Sequence, residues 1–182
     1  SKPVYKAIKL PTYREILNRS IKLAAENSEK FGPLKKLLEI ASELYNEIEI
    51  NNPQKYLLHA DLHHDNILTT KKEAKAIDPH SFIGERVMET ARFIENEIQK
   101  EEISKENIIY IIKTLSNYYK EKEQTICKAL FIDYVLSTCW DTELNFDGNH
   151  INNDINNIRL IYDCLLNDFK PEDKDNKLIL KI

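Results

Sequence analysis

Thirty acidic residues against 26 basic ones leave this 182-residue chain with a formal charge of −4, with the signs interspersed. That balance supplies neither the basic field a nucleic acid would need nor one suited to an anionic membrane surface, and no apolar run approaches membrane-spanning length. With 42% hydrophobic residues the chain can fill one core, so residues 1–182 are read as a single domain. Cys127, Cys139 and Cys164 are odd in number, far apart and set among aliphatic neighbours. They read as buried thiols in a reducing compartment, and with no secretory signal pattern before the first helix the expected location is cytoplasmic.

In chain order, Thr12 is placed to cap a helix with Glu15 at the capping-box position, and Ile16, Leu17, Ile21 and Leu23 give it an apolar side down to about Ser28. A break is expected at Phe31-Gly32-Pro33. Leu34, Leu37, Leu38, Ala41, Leu44, Tyr45 and Ile48 then recur at three- and four-residue intervals, the period of one buried helix face, until Asn51-Asn52-Pro53. The texture changes next. Tyr56 to His59, Asn66 to Thr69 and Ala74 to Asp78 are short runs between polar turns, suited to small strands; the first is read as buried and the last two as an exposed hairpin about Lys71-Lys72-Glu73.

After a loop from Pro79 to Gly84 the pattern is helical throughout. One helix is marked by Met88, Ala91, Phe93, Ile94 and Ile98, and a second, capped by Ser104, encloses Ile108, Ile111, Ile112 and Leu115. A longer one runs from about Glu123 to Asp141 and the last from about Asn152 to Asn167, before a polar turn at Asp173 to Asn176 and a terminal strand. The fold class is mainly α with a small β insert. Trp140, Tyr134, Tyr110 and Tyr162 have apolar settings and read as helix packing.

The chemistry concentrates in residues 56–84. Leu58-His59-Ala60-Asp61-Leu62-His63-His64-Asp65-Asn66-Ile67-Leu68 places three histidines and two aspartates between apolar anchors, and Ile77-Asp78-Pro79 ends the following hairpin, where Asp78 can return beside Asn66. His-x-Asp-x-x-x-x-Asn followed by a strand and a second Ile-Asp suits phosphoryl transfer. Asp61 is the candidate base that orients or deprotonates an acceptor hydroxyl, while Asn66 and Asp78 are candidate oxygen ligands for Mg2+ against the phosphates of ATP. His59 is read as locking the loop backbone. One of His63 and His64 is expected to pack or bind backbone while the other approaches phosphate or acceptor.

Two other readings use the same residues. His59, Asp61, His63, His64 and Asp65 have the ligand chemistry of a metal-dependent hydrolase, but that assignment gives Asn66 and Asp78 no role. It also finds no second ligand cluster downstream, where His150 is read as standing alone among turn residues. A non-catalytic small-molecule binding module is the third reading.

On these residues, together with Ala76-Ile77-Asp78-Pro79, Ile83-Gly84-Glu85 and Glu89-Thr90-Ala91-Arg92-Phe93, the chain resembles the aminoglycoside phosphotransferase family. Within that family it is most similar to the streptomycin 6-kinase or aminoglycoside/hydroxyurea resistance kinase branch. The resemblance implies a protein-kinase-like C-terminal lobe and an ATP-dependent kinase acting on a hydroxyl of a small, cationic acceptor, an aminoglycoside such as streptomycin. It carries the catalytic aspartate onto Asp61 and the metal ligands onto Asn66 and Asp78. Glu89 becomes the acid that steadies the catalytic loop through its backbone. Acids that such an acceptor could meet are Glu95, Glu97, Glu101, Glu102, Asp133, Asp141, Glu143, Asp147 and Asp154.

The chain departs from the branch where Lys-Gly commonly follows Asp-Pro, having His80-Ser81, and where Pro commonly follows Gly-Glu, having Arg86. The resemblance also implies an N-terminal ATP-binding lobe, for which the ten residues before Pro11 are too few; Lys2, Lys6 and Lys9 are not assigned to it. The expected object is therefore the C-terminal lobe of a longer kinase, with its N-terminal lobe absent and supplied in cis.

Overall fold

Thr12 does cap the first helix. Its hydroxyl accepts from the Glu15 N–H and the Glu15 carboxylate accepts from the Thr12 N–H, so α1 spans Tyr13–Glu26 in the computed structural model of the chain. The structure describes residues 9–98 and 103–170, apart from the side chain of residue 97; the terminal strand expected after Asn176 lies outside them.

The first correction comes at the end of α1. The chain breaks at Asn27, not at Phe31 to Pro33: Asn27 leaves helical geometry, its N–H closes α1 on the Leu23 carbonyl, and its own carbonyl accepts from Lys30 and Phe31 at the start of α2, Ser28–Asn51. Pro33 is carried inside α2, in its second turn, where it cannot donate to the Glu29 carbonyl and its ring crowds that group. The expected apolar face of α2 is buried, with Phe31 and Ile40 added to it.

Four short strands follow. β1, Tyr56–Leu58, pairs antiparallel with β4, Phe82–Gly84, while β2, Ile67–Thr69, and β3, Ala74–Ala76, form the expected exposed hairpin. The strand β4 lies where a loop was expected. A three-residue run ending in glycine has no alternation to betray it; its order comes from β1 and from the Ile83 N–H donating to the Pro11 carbonyl. Nor is β1 buried, since Tyr56 is 41% and Leu57 66% exposed and only Leu58 turns inward.

Four helices follow among the described residues: α3, Arg86–Ile98; α4, Lys105–Tyr119; α5, Glu123–Glu143; and α6, Gly148–Asn167. Ser104 caps α4 as expected, and α6 begins four residues before Asn152 because the Asp147 carboxylate accepts from the N–H groups of Asn149 and His150. Helix α5 is buried on all sides, from Ile126 to Thr142, and packs against α2, α3 and α6, which makes it the axis of the core. The three cysteines are free and buried in or against it. Tyr134 and Tyr162 belong to that core, but Tyr110 stands 71% exposed on α4, contrary to the packing role expected of it.

The architecture is thus mainly α with two small antiparallel sheets. Among the described residues no helix is long and apolar enough to cross a membrane.

Candidate functional site

The two sheets frame one loop. β1 delivers His59, Ala60 and Asp61 into it, a single 3-10 turn at His64–Asn66 leaves it, and the β2–β3 hairpin returns the chain to Asp78. Two backbone bonds and one side-chain bond tie the parts together. The Ile77 N–H donates to the Asn66 carbonyl at 2.9 Å, the Ser81 N–H to the His59 carbonyl at 3.1 Å, and the His59 imidazole Nε2 lies 2.7 Å from the Ile77 carbonyl. Asp78 therefore sits one residue beyond the point where its strand is bonded to Asn66.

Asn66 is the buried member of the set. Its amide nitrogen donates to the Asp61 carbonyl at 3.0 Å and lies 3.4 Å from the Asp61 carboxylate, so the two ends of the loop are locked to one another. The Asp61 side chain is 30% exposed, and Asp78 is exposed with no ion-pair or hydrogen-bond partner among the described residues. Both carboxylates are therefore open to solvent.

Helix α3 holds this loop from below. The Glu89 carboxylate accepts from the His59 N–H at 2.5 Å and from the Ala60 N–H at 3.3 Å, and two turns later the Asn96 amide donates to the Leu62 carbonyl at 3.3 Å. Sequence reading did not find Asn96. Its signal was the seven-residue spacing from Glu89, which puts both on one face of α3.

The histidines divide. His59 is engaged with the hairpin backbone, whereas His63 Nε2 stands 3.9 Å from the Asp61 carboxylate. His64 is 56% exposed at its side chain and faces Asp65 at 3.4 Å. His80 Nε2 also comes within 3.9 Å of the Asp61 carboxylate, so two imidazoles flank that group. The five residues offered to a hydrolase metal do not converge as a set: His59 is turned to the Ile77 carbonyl, and among the described residues no three of the five bring ligand atoms close enough together for one ion.

Backbone strain gathers at the same place. Of five non-glycine residues with positive φ among the described residues, Ala60 at 63°, Asp78 at 57° and Ser81 at 61° all lie on this loop system. Such conformations cost free energy and persist where surrounding bonds over-determine them, a pattern that clusters at functional sites.

Behind the loop a buried charge network joins three helices. Arg92 of α3 pairs with Asp133 of α5 through Nε and Nη2, both at 3.1 Å, reaches Glu95 at 3.5 Å and lies over the Trp140 ring; the Tyr13 hydroxyl of α1 donates to Asp133 at 3.1 Å. Burial pushes the Glu95 carboxyl up to about 8, partly offset by Arg92, and burial also raises Asp133. Glu85, after the Gly84 of β4, is likewise buried and accepts from Tyr45 at 2.7 Å while pairing with Lys55.

The acids expected to face a cationic acceptor therefore separate. Glu95 and Asp133 are committed to Arg92, Glu143 to Arg19 and Asp147 to the α6 cap, while Glu101, Glu102 and the Glu97 side chain fall outside the described residues. Asp141 and Asp154 meet His150, at 3.2 and 3.4 Å, so His150 does not stand alone as expected. That meeting joins the end of α5 to the first turns of α6 and needs the tertiary packing to be seen.

No curated protein matches the chain significantly. A family profile described as aminoglycoside/hydroxyurea antibiotic resistance kinase matches residues 10–143, which takes in α1, both sheets, the loop with Asp61, Asn66 and Asp78, and α5. With most of its length matched, and with the loop motif inside the match, the chain belongs to the aminoglycoside/hydroxyurea antibiotic resistance kinase family.

Proposed function

We propose that the chain is the catalytic and acceptor-binding lobe of an ATP-dependent O-phosphotransferase whose acceptor is a hydroxyl of a small cationic molecule, an aminoglycoside such as streptomycin. The observation that carries this is the locked loop. Asn66 bonds Asp61, Glu89 holds the loop backbone, and the hairpin returns Asp78 next to Asn66.

The donor set suits a hard divalent ion: an amide oxygen and a carboxylate, with no sulfur. The amide nitrogen of Asn66 is committed to Asp61, which leaves its oxygen for a cation, and Asp78 has no competing partner among the described residues. Asn66 and Asp78 would hold Mg2+, which when bound neutralises phosphate charge and aligns the transferred group.

Asp61 then has the task of the base. Its carboxylate would orient the acceptor hydroxyl and take up its proton as the oxygen bonds to the γ-phosphorus of ATP and the bond to the departing ADP breaks. His63 and His80 stand near enough to Asp61 to meet the acceptor or the phosphate. A preference for a cationic acceptor rests on Asp61 and Asp65, whose ion-pair partners among the described residues are all histidines. No described lysine is buried, and in the proposed enzyme the covering of ATP falls to a further lobe.

The test is magnesium-dependent phosphate transfer from ATP to a panel of aminoglycosides and hydroxyurea by the full-length protein. Asp61→Asn should lower turnover on the order of 10²–10⁴-fold, the usual worth of a positioned acid or base, without loss of folding. Turnover preserved in that variant would remove Asp61 from the reaction.

A further inference from the structure

Asp141, His150 and Asp154 form a second polar centre, outside the loop and not used by the proposed transfer. Each offers one ligand atom, and the three atoms lie within 4.8 Å of one another. His150 and Asp154 are one turn apart on α6, while Asp141 comes from the last turn of α5, so the cluster spans the helix junction. His150 and Asp154 also line an open cleft of about 410 Å³, together with Tyr134, Asn153 and Asn157.

We propose that Asp141, His150 and Asp154 bind a divalent ion of the zinc class, with its remaining position open to the cleft. The spacing is the first reason. A tetrahedral ion bonded at about 2.0–2.1 Å sets its ligand atoms about 3.3–3.4 Å apart. His150 Nε2 stands 3.2 Å from the Asp141 carboxylate and 3.4 Å from that of Asp154, which is that edge length on both sides.

Charge is the second reason. Two carboxylates converge here, and no lysine or arginine pairs with either among the described residues; His150 is the sole basic partner. Asp154 is 7% exposed, so its carboxylate is held largely out of water beside that of Asp141. A dication would relieve that crowding in a way one imidazolium cannot. The donors, one imidazole nitrogen and two carboxylate oxygens, are a zinc set and not the all-oxygen set that Mg2+ favours.

A bare imidazolium clip between two aspartates is the competing account, and metal binding separates the two. Titration of the full chain with Zn2+ alone, followed by calorimetry, should give one site that persists in Asp78→Asn, a variant of the other centre. Co2+ in its place should show the intense visible bands of a tetrahedral ion. Loss of a direct ligand in His150→Ala should weaken binding by at least the roughly 10- to 100-fold that loss of an outer-shell partner costs. Asp141→Asn, at the more exposed member, should do the same and carries the test should His150→Ala not fold. Absence of binding, unchanged affinity in Asp141→Asn, or loss of the site in Asp78→Asn would overturn the proposal.

Discussion

Ser81 occupies a left-handed position, φ 61°, with its N–H committed to the His59 carbonyl, so the strain is fixed by the loop and not relaxed by a turn. For an L-residue that conformation costs roughly 1–2 kcal/mol, which glycine avoids. Ser81→Gly should therefore stabilise the chain, by a few tenths to about 1 kcal/mol once glycine's larger unfolded-state entropy is subtracted. Ser81→Val, β-branched at positive φ, should destabilise it. Paired thermal melts decide the matter, and equal melting temperatures for the two variants would show that the loop pays no such cost. The same scale shows what sequence can and cannot reveal. Asp61, Asn66 and Asp78 were legible because their spacing is local and the hairpin between them is short. Asn96, Arg92 and the partners of His150 were not, because each acts across a helix interface whose register no local pattern states.

At the scale of elements, capping and periodicity were the readable signals. The Thr12 box, the Ser104 cap and the three-to-four repeat of α2 all describe contacts within a few residues, and all are present. The Asn27 break and β4 were missed for a shared reason: Gly32-Pro33 looks like a breaker in isolation, and Phe82-Ile83-Gly84 looks like a loop, until packing decides. Gly84 shows how tight that packing is. A Cβ built there would lie 2.8 Å from Tyr13 Cδ2 and 3.1 Å from Leu58 Cδ1, joining α1, β1 and β4 in one clash. Tyr13 has little freedom to yield, since its ring is buried and its hydroxyl is held by Asp133. Gly84→Ala should thus cost about 1–3 kcal/mol, the usual range for overpacking, as a lower midpoint in urea at unchanged slope. A variant as stable as the parent would mean that β4 shifts freely, and with it the frame of the loop from His59 to Asn66.

Across the whole molecule, α3 is the link between core and site: Glu89 and Asn96 hold the loop while Arg92 and Glu95 are set in the charge network with Asp133 and Tyr13. That network carries two carboxyl groups against one guanidinium, and burial decides which keeps a proton. Glu95, fully buried and pushed up to about 8, holds its proton near neutrality while Asp133 pairs with Arg92. The consequence for stability has a definite sign. In the unfolded chain Glu95 ionises near the ordinary glutamate value, about 4.3, whereas in the folded chain it does so only near 8. The folded state therefore binds the extra proton between these values; the stabilisation is complete below the lower one and is lost as pH rises through the upper one. Glu95→Gln fixes that position neutral and keeps its hydrogen-bonding shape. Denaturation midpoints measured from pH 5 to pH 9 should fall for the parent relative to the variant, by no more than a few kcal/mol at about 1.4 kcal/mol per pH unit, and should level off above pH 8. Parallel curves across that range would place the ionised form of Glu95 comfortably in the fold, and would leave Arg92 neutralising both carboxylates at once.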